Sequence, residues 1–190
     1  MKAADLPIYY NICEILEHNL EHRGDKIALF SENGSFTFRE VSEQVNRVGN
    51  ALIRSGVQFG ECVAILCPDR PEWVSVFFAT AKIGGIALGL NTLLRTDEYD
   101  YILKDARVKV LVVHDSLKAL VEPIIKKHDT LIKVITVTDN KSIKCTTFTD
   151  WIDGEKSALD SATTHREDFC SLHYSSGTTG VPKGVLHMHK

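Results

Sequence analysis

The sequence predicts a doubly wound α/β fold, in which a mostly parallel sheet carries helices on both faces. Strand-like and helix-like segments alternate along most of the chain, which favours right-handed crossovers and a parallel sheet. Segments 62–66 and 108–113 are continuous apolar runs of the kind found in strands buried on both faces. A chain of 190 residues is long enough for one such domain with its own core.

The first predicted element is an amphipathic helix that stops at Gly24. Its apolar residues recur at helical spacing: Ile12, Ile15, Leu16 and Leu20. A hairpin should follow, because segments 26–30 and 36–38 flank Asn33 and Gly34, a dipeptide that accepts positive φ at both centres of a tight turn.

The hairpin leads directly into a helix. Thr37 and Glu40 have the spacing of a capping box, and the helix they open should end before Gly56. Further strands are predicted at 62–66, 86–88, 108–113 and 131–137, and further helices at 71–83, 96–106 and 117–124. Thr96 is the expected N-cap of its helix, which explains Asp97 and Glu98 as first-turn acids that need no ligand.

A polar connector is predicted over residues 139–168, with one helical turn at 150–152. Residues 169–174 then form a short buried strand, and a glycine-rich segment begins where this strand ends. Ligands of open α/β sheets bind beyond the carboxyl ends of the strands, so this is the expected place for a binding loop.

Composition excludes several classes of function. A net charge of −3 with charges of both signs argues against a nucleic-acid binder and against disorder. The N-terminus has no secretory pattern, and segment 73–90 is interrupted by Lys82, Gly84 and Gly85, so no membrane span is expected. Without a secretory pattern, a cytoplasmic protein is the default expectation. The five cysteines are scattered in apolar runs, which predicts reduced core thiols: Cys13, Cys62, Cys67, Cys145 and Cys170.

Residues 174–184 have the composition of a phosphate-binding loop. The segment combines hydroxyl donors, glycines that let the backbone approach an anion, a rigid Pro182 and a cationic Lys183. The predicted phosphate-binding residues are Ser175, Ser176, Gly177, Thr178, Thr179, Gly180 and Lys183. A solvated surface loop would share the serines and glycines but would not require the lysine at this spacing after a buried strand.

Two other nucleotide-binding motifs do not fit. In a Walker A loop counted from Gly177, Pro182 would occupy the second glycine position and Gly184 would replace the hydroxyl that binds magnesium. The residues after Gly184 favour a strand, so a helix N-terminus is not implied. The sequence also contains no GxGxxG motif, which excludes a Rossmann dinucleotide site.

The segment YSSGTTGVPKG resembles the signature loop of the adenylate-forming superfamily, and segments 34–40 and 81–85 match that superfamily too. Within it, segment 91–99 (NTLLRTDEY), segment 164–168 and the ending His187-Met188-His189 resemble benzoate–CoA ligases. The resemblance implies a ligase that converts a carboxylate and Mg-ATP to an acyl adenylate and pyrophosphate, and then transfers the acyl group to the CoA thiol. The loop would hold the β- and γ-phosphates.

In the family, the residues that bind adenine, ribose, magnesium, the acyl group and CoA lie further along than Lys190. We therefore expect residues 1–190 to be one N-terminal subdomain of a longer ligase, with no catalytic residue of its own and no activity alone. Such a subdomain should expose apolar surface and self-associate. A non-catalytic module that binds a nucleotide or a partner, and a ligase for a medium-chain, cinnamate-type or amino acid, remain alternatives.

The histidines near the end of the chain suggest two further roles. His187 and His189 are two residues apart, so on a strand they would point to one side and could bind a metal together. No third ligand stands at a telling spacing, and we predict no metal site. By resemblance, His189 belongs to the extended signature and would help to shape the site.

Overall fold

The computed structural model describes residues 5–32, 34–140, 145–175 and 182–190 of the chain. The strands are β1 (Ile27–Ser31), β2 (Gly34–Thr37), β3 (Cys62–Leu66), β4 (Ile86–Gly89), β5 (Val110–His114), β6 (Lys133–Val137), β7 (Phe169–Ser175) and β8 (Lys183–Met188). The helices are α1 (Glu14–Glu17), α2 (Leu20–Arg23), α3 (Phe38–Arg54), α4 (Pro71–Lys82), α5 (Thr96–Asp105), α6 (Asp115–Ile125) and α7 (Phe148–Ile152).

Six strands form the central sheet, in the order β6-β5-β3-β4-β7-β8. The pairs from β6 to β7 are all parallel, and β8 runs antiparallel to β7 at the edge. β1 and β2 form a separate antiparallel hairpin. The predicted doubly wound, mostly parallel sheet is confirmed.

Each face of the sheet has its own hydrophobic core, because side chains along a strand alternate between faces. From β3, Val63 and Ile65 join the core under α3, α4 and α7. Ala64 and Leu66 join the opposite core, under α5 and α6. Every residue of β3 is buried, as its continuous apolar sequence predicts.

The predicted first helix is wrong, because the structure has two short helices there. The side-chain amide of Asn19 donates to the carbonyl of Ile15 at 2.7 Å, and the Asn19 N–H bonds instead to Leu16 O at 3.2 Å. The side chain thus takes the acceptor that would continue the helix. Gly24 has φ −50°, so it is no left-handed stop; a Cβ there would lie 2.5 Å from the guanidinium of Arg39.

Of the two predicted N-caps, Thr37 is confirmed and Thr96 is wrong. The capping box of Thr37 and Glu40 is confirmed, since the Thr37 side chain accepts from Glu40 N–H and the Glu40 side chain accepts from Thr37 N–H. In α5 the N-cap is Arg95 and not Thr96, which is the first helical residue. The Glu98 carboxylate accepts from Arg95 N–H at 2.9 Å, so this acid completes the helix start.

The connector after β6 packs more closely than a polar loop would. Phe148 and Trp151 of α7 are 5% and 2% exposed and contact each other in the core under α3. The Trp151 indole donates to Ser55 Oγ at 3.1 Å, which satisfies its buried N–H. In the described parts of the chain, no helix has both the length and the apolar character that a membrane crossing requires.

The cysteines are free thiols, and four of them are buried in the cores as predicted. The prediction of a core thiol is wrong for Cys145, which is partly exposed. Burial raises the pKa of the Cys62 and Cys67 thiols to about 12, so both remain protonated and unreactive at neutral pH.

Candidate functional site: the end of the β7–β8 hairpin

The phosphate-loop sequence connects the last two strands of the sheet. Ser175 ends β7 and Lys183 begins β8, and the two residues are Cα partners in the antiparallel register. Of the predicted phosphate-binding residues, Ser176, Gly177, Thr178, Thr179 and Gly180 lie outside the described residues. The structure therefore brings Ser175 and Lys183 together at the two ends of the glycine-rich segment.

β7 is less buried than its sequence predicts. Cys170 and Ser171 are buried, but Phe169, His173 and Ser175 are exposed. All six residues of β8 are exposed. The strand carrying Lys183 is thus an open edge, where an anion can reach the ammonium group from solvent.

A cleft lies at the same edge of the sheet, beyond the carboxyl ends of β3 and β4. After β3 the chain turns into α4 on one face, and after β4 it turns into α5 on the other, so a crevice opens between the two connections. Its volume is about 400 Å³, and its lining includes Pro68 and Asp69 from one connection and Leu90 and Asn91 from the other. Because β7 lies beside β4 and runs parallel to it, Ser175 ends at this edge too.

Tyr174 connects the end of the β7–β8 hairpin to α5 through a side-chain hydrogen bond. Its hydroxyl donates to Asp105 Oδ2 at 2.5 Å, and Asp105 is the last residue of α5. Burial and the Asp105 hydrogen bond both raise the pKa of Tyr174, so its proton stays on the phenol oxygen. This contact was not predicted, and its one signal in the sequence is an aromatic residue next to a hydroxyl-rich segment.

Gly184 makes room for the Tyr174 ring. The two residues are register partners, and a Cβ at Gly184 would lie 3.3 Å from Tyr174 Cζ and 3.0 Å from Leu172 Cδ1. A glycine in a strand interior often marks such a close approach. A residue without a side chain is therefore needed at position 184 for the Tyr174 ring to pack on this face of the hairpin.

His189 lies at the other end of β8 from Lys183, six residues away or about 20 Å along an extended chain. The ring is 1% exposed, its Nδ1 accepts from Ile12 N–H at 3.0 Å, and burial lowers its pKa. Nδ1 must be unprotonated to accept, so the proton is on Nε2, which has no hydrogen-bond partner among the described residues. Its predicted part in shaping the site stays a prediction, and it would act through β8.

His187 and His189 do not converge as two strand residues of one face would. His187 is exposed and its ring packs edge-on against that of His173, with 5.3 Å between centroids, whereas His189 is buried beyond the end of β8. Within the described ranges, no group of three or more His, Cys, Asp or Glu side chains is arranged to hold a metal ion.

A second cavity, of about 320 Å³, lies beside the β1–β2 hairpin and is lined by Leu29, Phe30, Arg70 and Trp73 among others. Its cationic group already has partners, because the Arg70 guanidinium donates to Asp139 at 3.0 and 3.1 Å and to Glu72 at 3.2 Å. These hydrogen bonds lower the pKa of Asp139. The cavity holds none of the residues that the sequence singles out.

A family model described as "AMP-binding enzyme" matches residues 16–190, which is most of the chain. The chain belongs to this family. It is 32% identical over 168 residues to a 3-hydroxybenzoate–CoA/4-hydroxybenzoate–CoA ligase of Thauera aromatica, covering 88% of this chain and 32% of the relative. It is 31% identical over 194 residues to the benzoate–CoA ligase of the same organism, covering 98% of this chain and 36% of that enzyme.

A solved structure supports the same family assignment. The crystal structure of an anthranilate CoA ligase in complex with anthranoyl-AMP is 49% identical, with a TM-score of 0.96 over 100% of this chain and 36% of that protein. The predicted resemblance to the adenylate-forming superfamily and its aryl–CoA ligases is confirmed. The chain spans about a third of the length of these relatives.

Proposed function

We propose that this chain provides the ATP-phosphate-binding part of an ATP-dependent ligase that activates an aromatic carboxylic acid as its acyl adenylate and transfers it to CoA. One observation carries the proposal. In a member of the AMP-binding family, Ser175 and Lys183 stand opposite each other at the end of the β7–β8 hairpin, at the two ends of the SSGTTGVPK segment.

The chemistry of these residues suits the leaving pyrophosphate. Attack of the carboxylate on the α-phosphorus expels the β- and γ-phosphates, and negative charge develops on the departing oxygen. The Lys183 ammonium and the hydroxyls of the loop would neutralise and orient this group, which is how proteins mainly assist such reactions. ATP supplies the phosphate oxygens that bind Mg²⁺, and CoA supplies the thiol; we assign no described residue to either.

The relatives support an aromatic substrate. The two Thauera aromatica ligases are named for benzoate or hydroxybenzoates and the solved structure holds anthranoyl-AMP, so we propose a benzoate-like acid, with 2-aminobenzoate among the first to test. Medium-chain, cinnamate-type and amino acids remain the alternatives, because the residues of an acyl pocket decide between them.

The 190-residue chain alone is expected to form no acyl adenylate, because the hairpin supplies phosphate contacts but no acyl or adenine pocket has been assigned to it. The test is ATP–pyrophosphate exchange with benzoate and 2-aminobenzoate, with a full-length aryl–CoA ligase as the positive control. We expect exchange at background. Acid-dependent exchange above background would show that the chain is catalytically complete and would overturn this part of the proposal.

We propose that the chain self-associates through the open side of the β7–β8 hairpin. Val185, Leu186 and Met188 are 49%, 44% and 38% exposed on an edge strand, which is a template for pairing with another chain. Sedimentation should show concentration-dependent association that Val185→Lys reduces. Phe30→Lys is the matched control, since Phe30 is 81% exposed but belongs to the separate β1–β2 hairpin and not to the sheet that contains β8. A wild-type chain that stays monomeric at high concentration would contradict this proposal.

We also propose a cytoplasmic location. The support is the set of free cysteines, since a reducing compartment keeps such thiols unpaired.

A further inference from the structure

The contacts of Tyr174 with Asp105 and Gly184, called the anchor below, hold the end of the β7–β8 hairpin against α5, and the sequence motif does not explain them. Tyr174 precedes Ser175 and points to the face of α5, where its hydroxyl bonds Asp105 Oδ2 at 2.5 Å. The ring crosses the space left open by Gly184, the register partner of Tyr174 on β8. One side chain therefore contacts both strands of the hairpin and a helix of the main core.

The anchor matters because the rest of the hairpin end is open. β8 is exposed along its whole length, and Ser175 is exposed as well. Tyr174 packs with Leu172 against the core under α5 and α6, and this packing holds its ring in place. Asp105 stands in the last turn of α5, where the helix dipole disfavours a carboxylate, and the tyrosine hydroxyl offsets this by donating to it.

We propose that Tyr174, held by Asp105 and seated over Gly184, is a positioning residue that fixes Ser175 and Lys183 relative to each other for a bound polyphosphate. The inference rests on the proposed function for its ligand. It adds a residue whose side chain bonds the end of α5 and acts through the backbone of β7 and β8. Preorganising the two ends of a binding loop raises affinity because less ordering remains to be done when the anion binds.

The first test is the affinity of the 190-residue chain for inorganic pyrophosphate, followed by NMR titration. Tyr174→Phe keeps the ring over Gly184 and removes the hydroxyl, and we expect it to weaken binding by roughly three- to tenfold, the range that lost preorganisation of one loop can produce. Tyr99→Phe is the matched control. It removes another tyrosine hydroxyl bond, from Tyr99 to Asn91 O at 2.7 Å, and should lower the thermal midpoint while leaving the affinity unchanged.

A second variant separates positioning from simple charge repulsion, because Tyr174→Phe also frees the Asp105 carboxylate. In the double variant Tyr174→Phe/Asp105→Asn this charge is gone. Positioning predicts that binding stays weak in the double variant, whereas recovery to the wild-type affinity would overturn the inference.

The second measurement needs no ligand. Amide hydrogen exchange in the free chain should be about tenfold or more faster at Ser175, Lys183 and Gly184 in Tyr174→Phe, and unchanged at Ser171 and His187 further along the hairpin. Equal exchange in wild type and variant would overturn the inference. If the wild type binds no pyrophosphate and the exchange pattern still appears, the proposed function fails while the anchor stands. If Tyr174→Phe binds as tightly as wild type and Lys183→Met binds at least about tenfold more weakly, the anchor fails while the function stands.

Discussion

Glu17→Gln should lower the free energy of unfolding by about 3 kcal/mol, a typical cost of leaving a buried charge without its partner. The Lys82 side chain is 3% exposed, and its ammonium donates to Glu17 Oε1 at 2.5 Å and to Asn46 Oδ1 at 2.7 Å. The amide of the variant can still accept one hydrogen bond but no longer neutralises the charge. We expect the low end of the usual range because Glu17 is 34% exposed, so water can reach its side of the pair.

Urea denaturation measures this effect, and two controls define its cause. Asp25→Asn removes a partner from the exposed Arg39–Asp25 pair, whose side chains are 54% and 91% exposed, and should cost less than about 1 kcal/mol. The double variant Glu17→Gln/Lys82→Met removes both charges and should recover part of the loss. A Glu17→Gln variant as stable as Asp25→Asn would show that Lys82 is not held by this pair.

The ion pair matters beyond stability because it joins distant parts of the chain. Ser161 Oγ donates to the same Glu17 carboxylate at 3.3 Å, and the Ala162 N–H donates to Lys82 O at 2.8 Å. Asn46 in turn donates to Ser157 O at 2.9 Å. Losing the pair should therefore loosen the segment that leads from α7 to β7, and with it the strand that carries the candidate site.

Lys183→Met should weaken pyrophosphate binding by about tenfold to a hundredfold, the equivalent of one hydrogen bond to a charged group at 1.5 to 3 kcal/mol. Lys183 begins β8 on an exposed edge, so the substitution should leave the fold intact. Lys190→Met is the matched control, because it removes the same charge beyond the far end of β8, where Lys190 pairs with Glu167 at 2.9 Å. Equal loss in both variants would indicate that only net charge attracts the anion.

The sequence predicted most of the fold because its signals are local. The buried strands β3 and β5, the capping box of Thr37 and the helix–strand alternation depend on residues close together in the chain, and the structure has each of them. The predicted burial of β7 is only partly confirmed, because it depends on what covers the edge of the sheet. The first helix was mispredicted because periodicity does not show that the Asn19 side chain takes the Ile15 carbonyl. The cap at Arg95 was missed for a similar reason, since Thr96 is the residue type that usually caps.

In the candidate site, too, local features could be predicted from the sequence and contacts between distant residues could not. The composition of the phosphate loop and the strands on either side of it could be predicted from neighbouring residues. The contact of Tyr174 with Asp105 could not, because 69 positions separate the two residues. The hydrogen bond from Ile12 to His189 spans 177 positions, and only the folded sheet brings its partners together.

We propose that this chain binds a polyphosphate at the end of the β7–β8 hairpin. The most direct measurement is an NMR titration of the labelled 190-residue chain with pyrophosphate, with every amide followed. We predict saturable shifts concentrated at Ser175, Lys183 and Gly184, with little change around the cavity beside Arg70. Shifts centred on the Arg70 cavity, or spread evenly over the lysine-bearing surface, would contradict the account.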